Sequence, residues 1–200
     1  MLLLILRGSL FQRPGAHTEK AIVAAAARLF RERGIDGASV ADVMSAAGLT
    51  HGGFYSHFED KSALVAEALS AATNHREGWI EPRPDMDEAA WLAWIARRYL
   101  NVRHRDDPAD GCPFPPLASE IARDTVASRR VFETELRKSA DRMAACLGDG
   151  AELGAQDKAY AVLALCVGGL MLSRAVDDAA LSKRILRASR RLAERAADSE

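Results

Sequence analysis

Gly48 sits between two stretches that each begin as helices begin, and this constrains the fold of the 200-residue chain more than any other feature. Ser39 opens SVADVMSAA, with Asp42 three residues on in a variant of the capping box, and Val40, Val43, Met44 and Ala47 recur at helical spacing. Gly48 breaks that segment, Leu49 supplies an apolar plug, and Thr50 caps the next helix. A short helix, a glycine turn and a second short helix over residues 39–58 are the sequence form of a helix-turn-helix.

The flanking segments agree. From His17 to Arg33 the apolar positions Ile22, Ala26, Leu29 and Phe30 keep helical spacing, with Thr18 as N-cap and Gly34 where a C′ glycine belongs. A further helix starts near Asp60 and carries Leu64, Val65, Ala68 and Leu69. Glu81-Pro-Arg-Pro-Asp interrupts helix and separates subdomains, after which a helix is expected from about Asp87 to His104. RDDPADGCPFPP reads as a loop, and helices are expected over 117–124, 126–147, 156–177 and 180–197. Aromatic and β-branched clusters are sparse, no strand signal exceeds a short apolar run, and no internal repeat is present. The expected class is all-α, with an N-terminal three-helix helix-turn-helix domain and a C-terminal helical domain. The divisions are an N-terminal arm over 1–16, expected to be flexible, then 17–70, then 71–200.

Composition narrows the function classes only a little. An apolar fraction of 48% with 28% charged residues is ordinary for a globular protein. Net charge is −1, and the first 75 residues hold seven basic and seven acidic side chains, so bulk charge gives no support to nucleic-acid binding. Any such case rests on local placement. MLLLILRG is too short to span a bilayer and lacks a cleavage site after an h-region of normal length. It reads as a disordered arm or an over-extended start, with a degraded signal peptide as the remaining alternative. Three cysteines without CxxC spacing fit a reducing cytoplasm.

The stretch THGGFYSHFEDK then poses a question of energy. Each interior glycine costs a helix on the order of 1 kcal/mol relative to alanine, so Gly52 and Gly53 need a compensating reason. A surface that must approach this backbone closely supplies one. In a helix-turn-helix the second helix enters the major groove, and Ser39 and Thr50 stand at helix N-termini, where the dipole favours phosphate. Tyr55, His57 and Lys61 add a phenol, an imidazole and a cation on neighbouring turns, while Phe54 and Phe58 can pack inward. Taken singly, each could be an ordinary cap or surface residue.

Jointly, AIVAAAARLFRERG followed by SVADVMSAAGLTHGGFYSHFEDKSALV resembles the tetracycline-repressor (TetR) family of bacterial transcription regulators, from about Thr18 to Leu69. The resemblance implies that Ser39, Thr50, Tyr55, His57 and Lys61 contact phosphate and that His51 and Gly52 lie nearest the bases, with Gly53 a further DNA-binding candidate where phosphate or base edges approach. His51 stands where many relatives carry lysine or arginine. It further implies a homodimer on a double-stranded operator, an inverted repeat, with a small hydrophobic effector bound in the C-terminal domain, and a cytoplasmic location.

Within that domain, Trp79, Trp91, Trp94, Tyr99, Phe114, Leu117, Phe132 and Met171 are candidates for an apolar pocket, with plain core packing the alternative for each. Leu181, Ile185, Ala188 and Leu192 form one helical seam, and Tyr160, Leu163, Val167 and Met171 another, with Gly168-Gly169 letting a second backbone come close. Tyr160, Leu163, Val167, Gly168, Leu181, Ile185 and Leu192 are therefore the dimer-interface candidates, with packing into the subunit's own core the competing reading. Cys112 in Gly-Cys-Pro has no basic residue within three positions to lower its pKa and reads as a packed structural cysteine. The histidines at 17, 51, 57, 75 and 104 lack metal-ligand spacing, so neither metal nor cofactor is expected. An all-helical enzyme or carrier is the alternative class, but the sequence offers no nucleotide loop, nucleophile elbow, metal motif or paired carboxylates in one predicted site. A regulator that binds DNA without effector response is a third reading.

Overall fold

The structure, a computed structural model, describes residues 14–74, 79–150 and 153–197. Residues 1–13 of the expected arm, and His75, lie outside that set. Nine α-helices and two 3-10 segments occur among the described residues, and no strand.

Helix α1 (Pro14–Arg33) starts three residues before the expected His17, with proline at its first position, where a missing N–H costs nothing. Gly34 ends it at φ +77, and Gly48 ends α2 (Val40–Ala46) at φ +73. Both are left-handed positions that only glycine occupies cheaply. Ser39 caps α2 in a complete capping box: its hydroxyl accepts from the Asp42 N–H at 3.1 Å, and the Asp42 carboxylate accepts from the Ser39 N–H at 2.8 Å. The second short helix, His51–Ser56, is 3-10 in type, and Thr50 precedes it without a side-chain cap bond. Asp60 starts α3 (Lys61–Asn74) by accepting from the Ala63 N–H, and α3 runs four residues past the expected boundary at 70. Ile22, Phe30, Val43, Met44, Phe54, Phe58, Leu64 and Leu69 close one apolar cluster around these elements.

The expected helix over 87–104 is two helices. Helix α4 (Glu88–Tyr99) ends at Leu100, and Asn101 begins α5 (Val102–Asp106) with its side chain accepting from the His104 N–H. Helix α6 (Phe114–Ile121) starts three residues earlier than expected because prolines suit the first turn of a helix. Helices α7 (Val126–Ala144), α8 (Ala155–Ala175) and α9 (Ala179–Glu194) follow the expected order. Helix α9 folds back along α8, and together with α4 and α7 they enclose a second cluster built on Trp91, Leu92, Ile95, Met143, Val162 and Leu170. By length and composition α8 could cross a membrane, but Val162, Leu163, Cys166 and Leu170 bury it in this core.

Helix α6 joins the two clusters. Leu117 and Ile121 belong to the first, while Phe114 belongs to the second. Near its far end, Glu120 accepts from the Ile35 N–H at 2.6 Å, and a Cβ on Gly34 would come within 2.6 Å of that carboxylate. Arg31 reaches from α1 to the Ala109 carbonyl at 2.8 Å in the loop before α6.

Candidate nucleic-acid interface and ligand cavity

Two aromatic rings fix the 3-10 helix from below. Phe54 is fully buried and stacks on buried Phe58 at 5.6 Å, so the opposite side of the turn faces solvent. Thr50, His51, Gly52 and Tyr55 are exposed there, Tyr55 to 68%, and the rings of His51 and Tyr55 meet edge to face at 6.4 Å. Gly53 and His57 are half-buried at the rim. A Cβ on Gly52 would meet nothing, and one on Gly53 would make an ordinary 3.6 Å contact with Met44. Neither glycine has the positive φ that Gly34 and Gly48 have. Among the described residues, nothing therefore requires glycine at 52 or 53.

Two of the phosphate candidates already have partners within the domain, and of these only the Ser39–Asp42 pair could be read from the sequence. Lys61 donates from Nζ to the Ile35 carbonyl at 2.5 Å and lies 5.9 Å from the Phe30 ring centroid. An ammonium has three donors, so two remain. The Ser39 hydroxyl is held in the capping box, where its hydrogen bond keeps the Asp42 carboxyl below its ordinary pKa. Asp42 thus sets a negative charge beside this N-terminus.

A cavity lies in the second cluster, with about 50 Å³ open to the centre of a water-sized molecule. Of the candidate residues, Tyr99 and Phe114 line it, as does Trp79; the others do not. Trp91 is packed in the core with its indole N–H on the Glu81 carbonyl at 2.9 Å. Trp94 lies outside, half-buried against the guanidinium groups of Arg83 and Arg98. Leu117 belongs to the first cluster, Phe132 supports Phe114 edge to face at 5.2 Å, and Met171 is exposed. Cys112, Cys166, Arg98, Arg142 and Met143 complete much of the wall.

Cys112 is buried, as expected of a packed cysteine, but the fold surrounds it with basic groups that local sequence lacks. Arg31 and Arg174 interact with it electrostatically, and its N–H donates to His104 Nε2 at 2.9 Å. That bond leaves Nδ1 of His104 as the protonated nitrogen, donating to the Tyr99 carbonyl at 2.8 Å. Burial pushes the Cys166 thiol up to about 12, so it is a protonated thiol at neutral pH.

The expected seams on α8 and α9 divide. On α9, Leu181 and Leu192 are exposed to 43% and 56%, Ala188 is exposed and Ile185 is half-buried, while Ser182, Leu186 and Ala193 face the core. On α8 the exposed stripe runs through Ala161, Ala164, Met171 and Leu172, with half-buried Gly168 between them, about one position away from the expected register. Leu163 is buried in the cavity wall, and Tyr160 and Val167 are half-buried at the edge. Gly169 does make room for a neighbouring helix, but it is α9 of the same chain: a Cβ there would lie 2.5 Å from Ser189 Oγ. Gly168 faces open space.

Residues 22–68 match the family model described as "Bacterial regulatory proteins, tetR family". Among curated proteins, the HTH-type transcriptional regulator AcrR of Shigella flexneri is 42% identical over 50 residues, 25% of this chain and 23% of that protein. The HTH-type transcriptional repressor BepR of Brucella suis is 44% identical over 57 residues, 28% of this chain and 27% of its own. An uncharacterized HTH-type transcriptional regulator of Bacillus subtilis, YvdT, is 34% identical over 89 residues, 42% and 46% of the two chains. The aligned stretch spans less than half the length of each of these relatives. Over the whole fold the chain is similar to the reduced form of Escherichia coli NemR, with a TM-score of 0.74 at 16% identity, covering 88% of this chain and 95% of that one. A TetR transcriptional regulator from Chloroflexus aurantiacus gives 0.72 at 22% identity, covering 92% and 95%.

Proposed function

Because the chain belongs to the TetR family of bacterial regulatory proteins, we propose that it is a cytoplasmic repressor that binds an operator as a homodimer and is released by a small hydrophobic effector. The observation that carries this reading is the exposed 3-10 turn, whose glycines have no internal use. In the proposal, residues 17–70 bind DNA. Gly52 and Gly53 let the backbone approach base edges, His51 faces the bases, and Thr50, Tyr55, His57 and Lys61 hold phosphate, whereas Ser39 donates both its hydroxyl and its N–H to Asp42 and serves as the cap.

Residues 71–200 sense and dimerise. The exposed apolar faces of α8 and α9 meet their counterparts in a second copy, giving the two-fold symmetry that an inverted repeat matches. Effector binding acts through α6, whose first turn borders the cavity and whose Glu120 holds the turn between α1 and α2. A ligand can release DNA only by preferring the non-binding arrangement, about 1–3 kcal/mol of coupling.

Titrating the chain into labelled duplexes covering the DNA that flanks its gene tests the proposal. One duplex containing an inverted repeat should bind far more tightly than a scrambled duplex of equal length. Equal affinity for both would remove the regulator reading and favour a ligand-binding protein whose N-terminal helices are structural.

A further inference from the structure

Tyr99 gives the cavity a chemistry that a purely hydrophobic effector would leave unused. Only 9% of the residue is exposed, its side chain forms part of the wall, and its hydroxyl has no nitrogen or oxygen partner among the described residues, only the Cys112 thiol beside it. A buried hydroxyl with only a thiol for a partner costs free energy that a phenylalanine would not. The Cys112 thiol beside it is a weak acceptor. Burial raises the phenol pKa well above its ordinary value, so the hydroxyl keeps its proton and can donate it in a hydrogen bond.

Among the described residues, the charged side chains that line the cavity are basic. Arg98 and Arg142 are the charged residues of the wall, and among the described residues neither Asp nor Glu lines it. Arg174, anchored on the His104 and Arg105 carbonyls, acts electrostatically on Tyr99. Arg98 is exposed and held by stacking on Trp79 at 5.0 Å and Trp94 at 5.3 Å. The rest of the lining is largely apolar, with Ile95, Phe114, Met143 and Leu163 prominent. About 50 Å³ of centre volume suits a few water molecules, so a ligand must be compact and must displace the Arg98–Trp79 stack as it enters.

Resting on the effector reading above, we propose that the cavity takes a compact apolar carboxylic acid. Its hydrocarbon part packs among Ile95, Phe114, Met143 and Leu163. Its carboxylate accepts the Tyr99 hydroxyl hydrogen bond on a wall whose charged side chains, Arg98 and Arg142, are basic. An amine of the same size would meet those side chains with the wrong sign and find no carboxylate partner on the described wall.

Phenylacetate, phenylacetamide and phenethylamine share one ring and differ in charge, which makes them suitable probes for the full-length chain. Tryptophan fluorescence and thermal shift should report phenylacetate binding on the order of tenfold tighter than phenethylamine, with the amide between. Tyr99→Phe should weaken phenylacetate about five- to tenfold while leaving the melting temperature of the free protein unchanged or higher, because it removes a buried hydroxyl whose one neighbour is a weakly accepting thiol. Arg98→Gln should narrow the gap between acid and amide. A Tyr99 with only a structural role would instead lower the melting temperature and leave the order of the three probes intact. Equal or tighter amine binding, no binding of any probe at millimolar concentration, or an unchanged phenylacetate affinity in Tyr99→Phe would overturn the proposal. Acid binding without DNA release would leave the ligand class standing and remove the effector reading; DNA release by the amine alone would do the reverse.

Discussion

Lys61 already has a partner inside the domain, and that changes what its removal should do. Lys61→Ala deletes the bond to the Ile35 carbonyl as well as any phosphate contact. Stability should fall by about 1 kcal/mol, and the log–log salt slope of DNA binding should drop by about one unit per subunit. Tyr55 is exposed, so Tyr55→Phe should leave melting unchanged and weaken every duplex equally, by about 1 kcal/mol per subunit. Melting curves beside titrations at several salt concentrations separate the two effects; an unchanged slope for Lys61→Ala would leave it a purely structural lysine. The capping box carries a pH signature. The Asp42 pKa is lowered in the folded chain, so its contribution is complete above the ordinary value of 3.8 and is lost as pH falls through the lower folded value. The melting-temperature difference between wild type and Asp42→Ala should therefore shrink as pH is taken from about 5 to below that value. Ser39→Ala should cost about 1 kcal/mol at neutral pH. The box was legible because its two members stand three residues apart. The Lys61–Ile35 bond was not, because nothing local couples positions 26 residues apart.

At the scale of elements, period and punctuation were enough to find nearly every helix, and boundaries failed where side chains chose between continuing and stopping. The helix expected over 87–104 breaks because Asn101 prefers to cap the next one. The seam on α8 was misread by one position because Leu, Ala and Gly recur on several faces of a helix that is apolar nearly all round. Gly169 faces Ser189 of α9, so Gly169→Ala should cost about 1–3 kcal/mol through overpacking, while Gly168→Ala should not destabilise the fold. Thermal melts of the two variants compare them directly, and equal melting temperatures would refute the α8–α9 contact. Glu120 was unreadable as a link, since it meets Ile35 from 85 residues away. Glu120→Ala leaves the Ile35 N–H without its acceptor and should weaken the α1–α2 turn by about 1–3 kcal/mol. DNA release by an effector should weaken with it, which effector titration of a preformed complex measures.

For the whole molecule, the helical class, the order of helices and the short capped segment after Gly48 could be read from the chain, whereas the cavity could not. Its wall is assembled from α3, α4, α6, α7, α8 and the segments at 79–80 and 112–113, which only the fold brings together. The exposed leucines of α8 and α9 give the dimer proposal its test. Leu172→Arg with Leu181→Arg should yield a folded monomer with near wild-type melting, because both side chains are exposed at 60% and 43%. Sedimentation should show the monomer, and a wild-type chain that is itself monomeric at micromolar concentration would contradict the interface.

The central claim is that residues 39–61 face DNA, and Gly52→Ala tests it most directly. A Cβ at position 52 meets nothing within the described chain, and alanine is the better helix former by about 1 kcal/mol, so the variant should melt at or above the wild-type temperature. Its affinity for the wild-type operator duplex, measured by fluorescence anisotropy, should nevertheless fall at least tenfold, because the added methyl stands where the bases approach. A Gly52→Ala protein that binds the duplex as tightly as wild type would contradict the account.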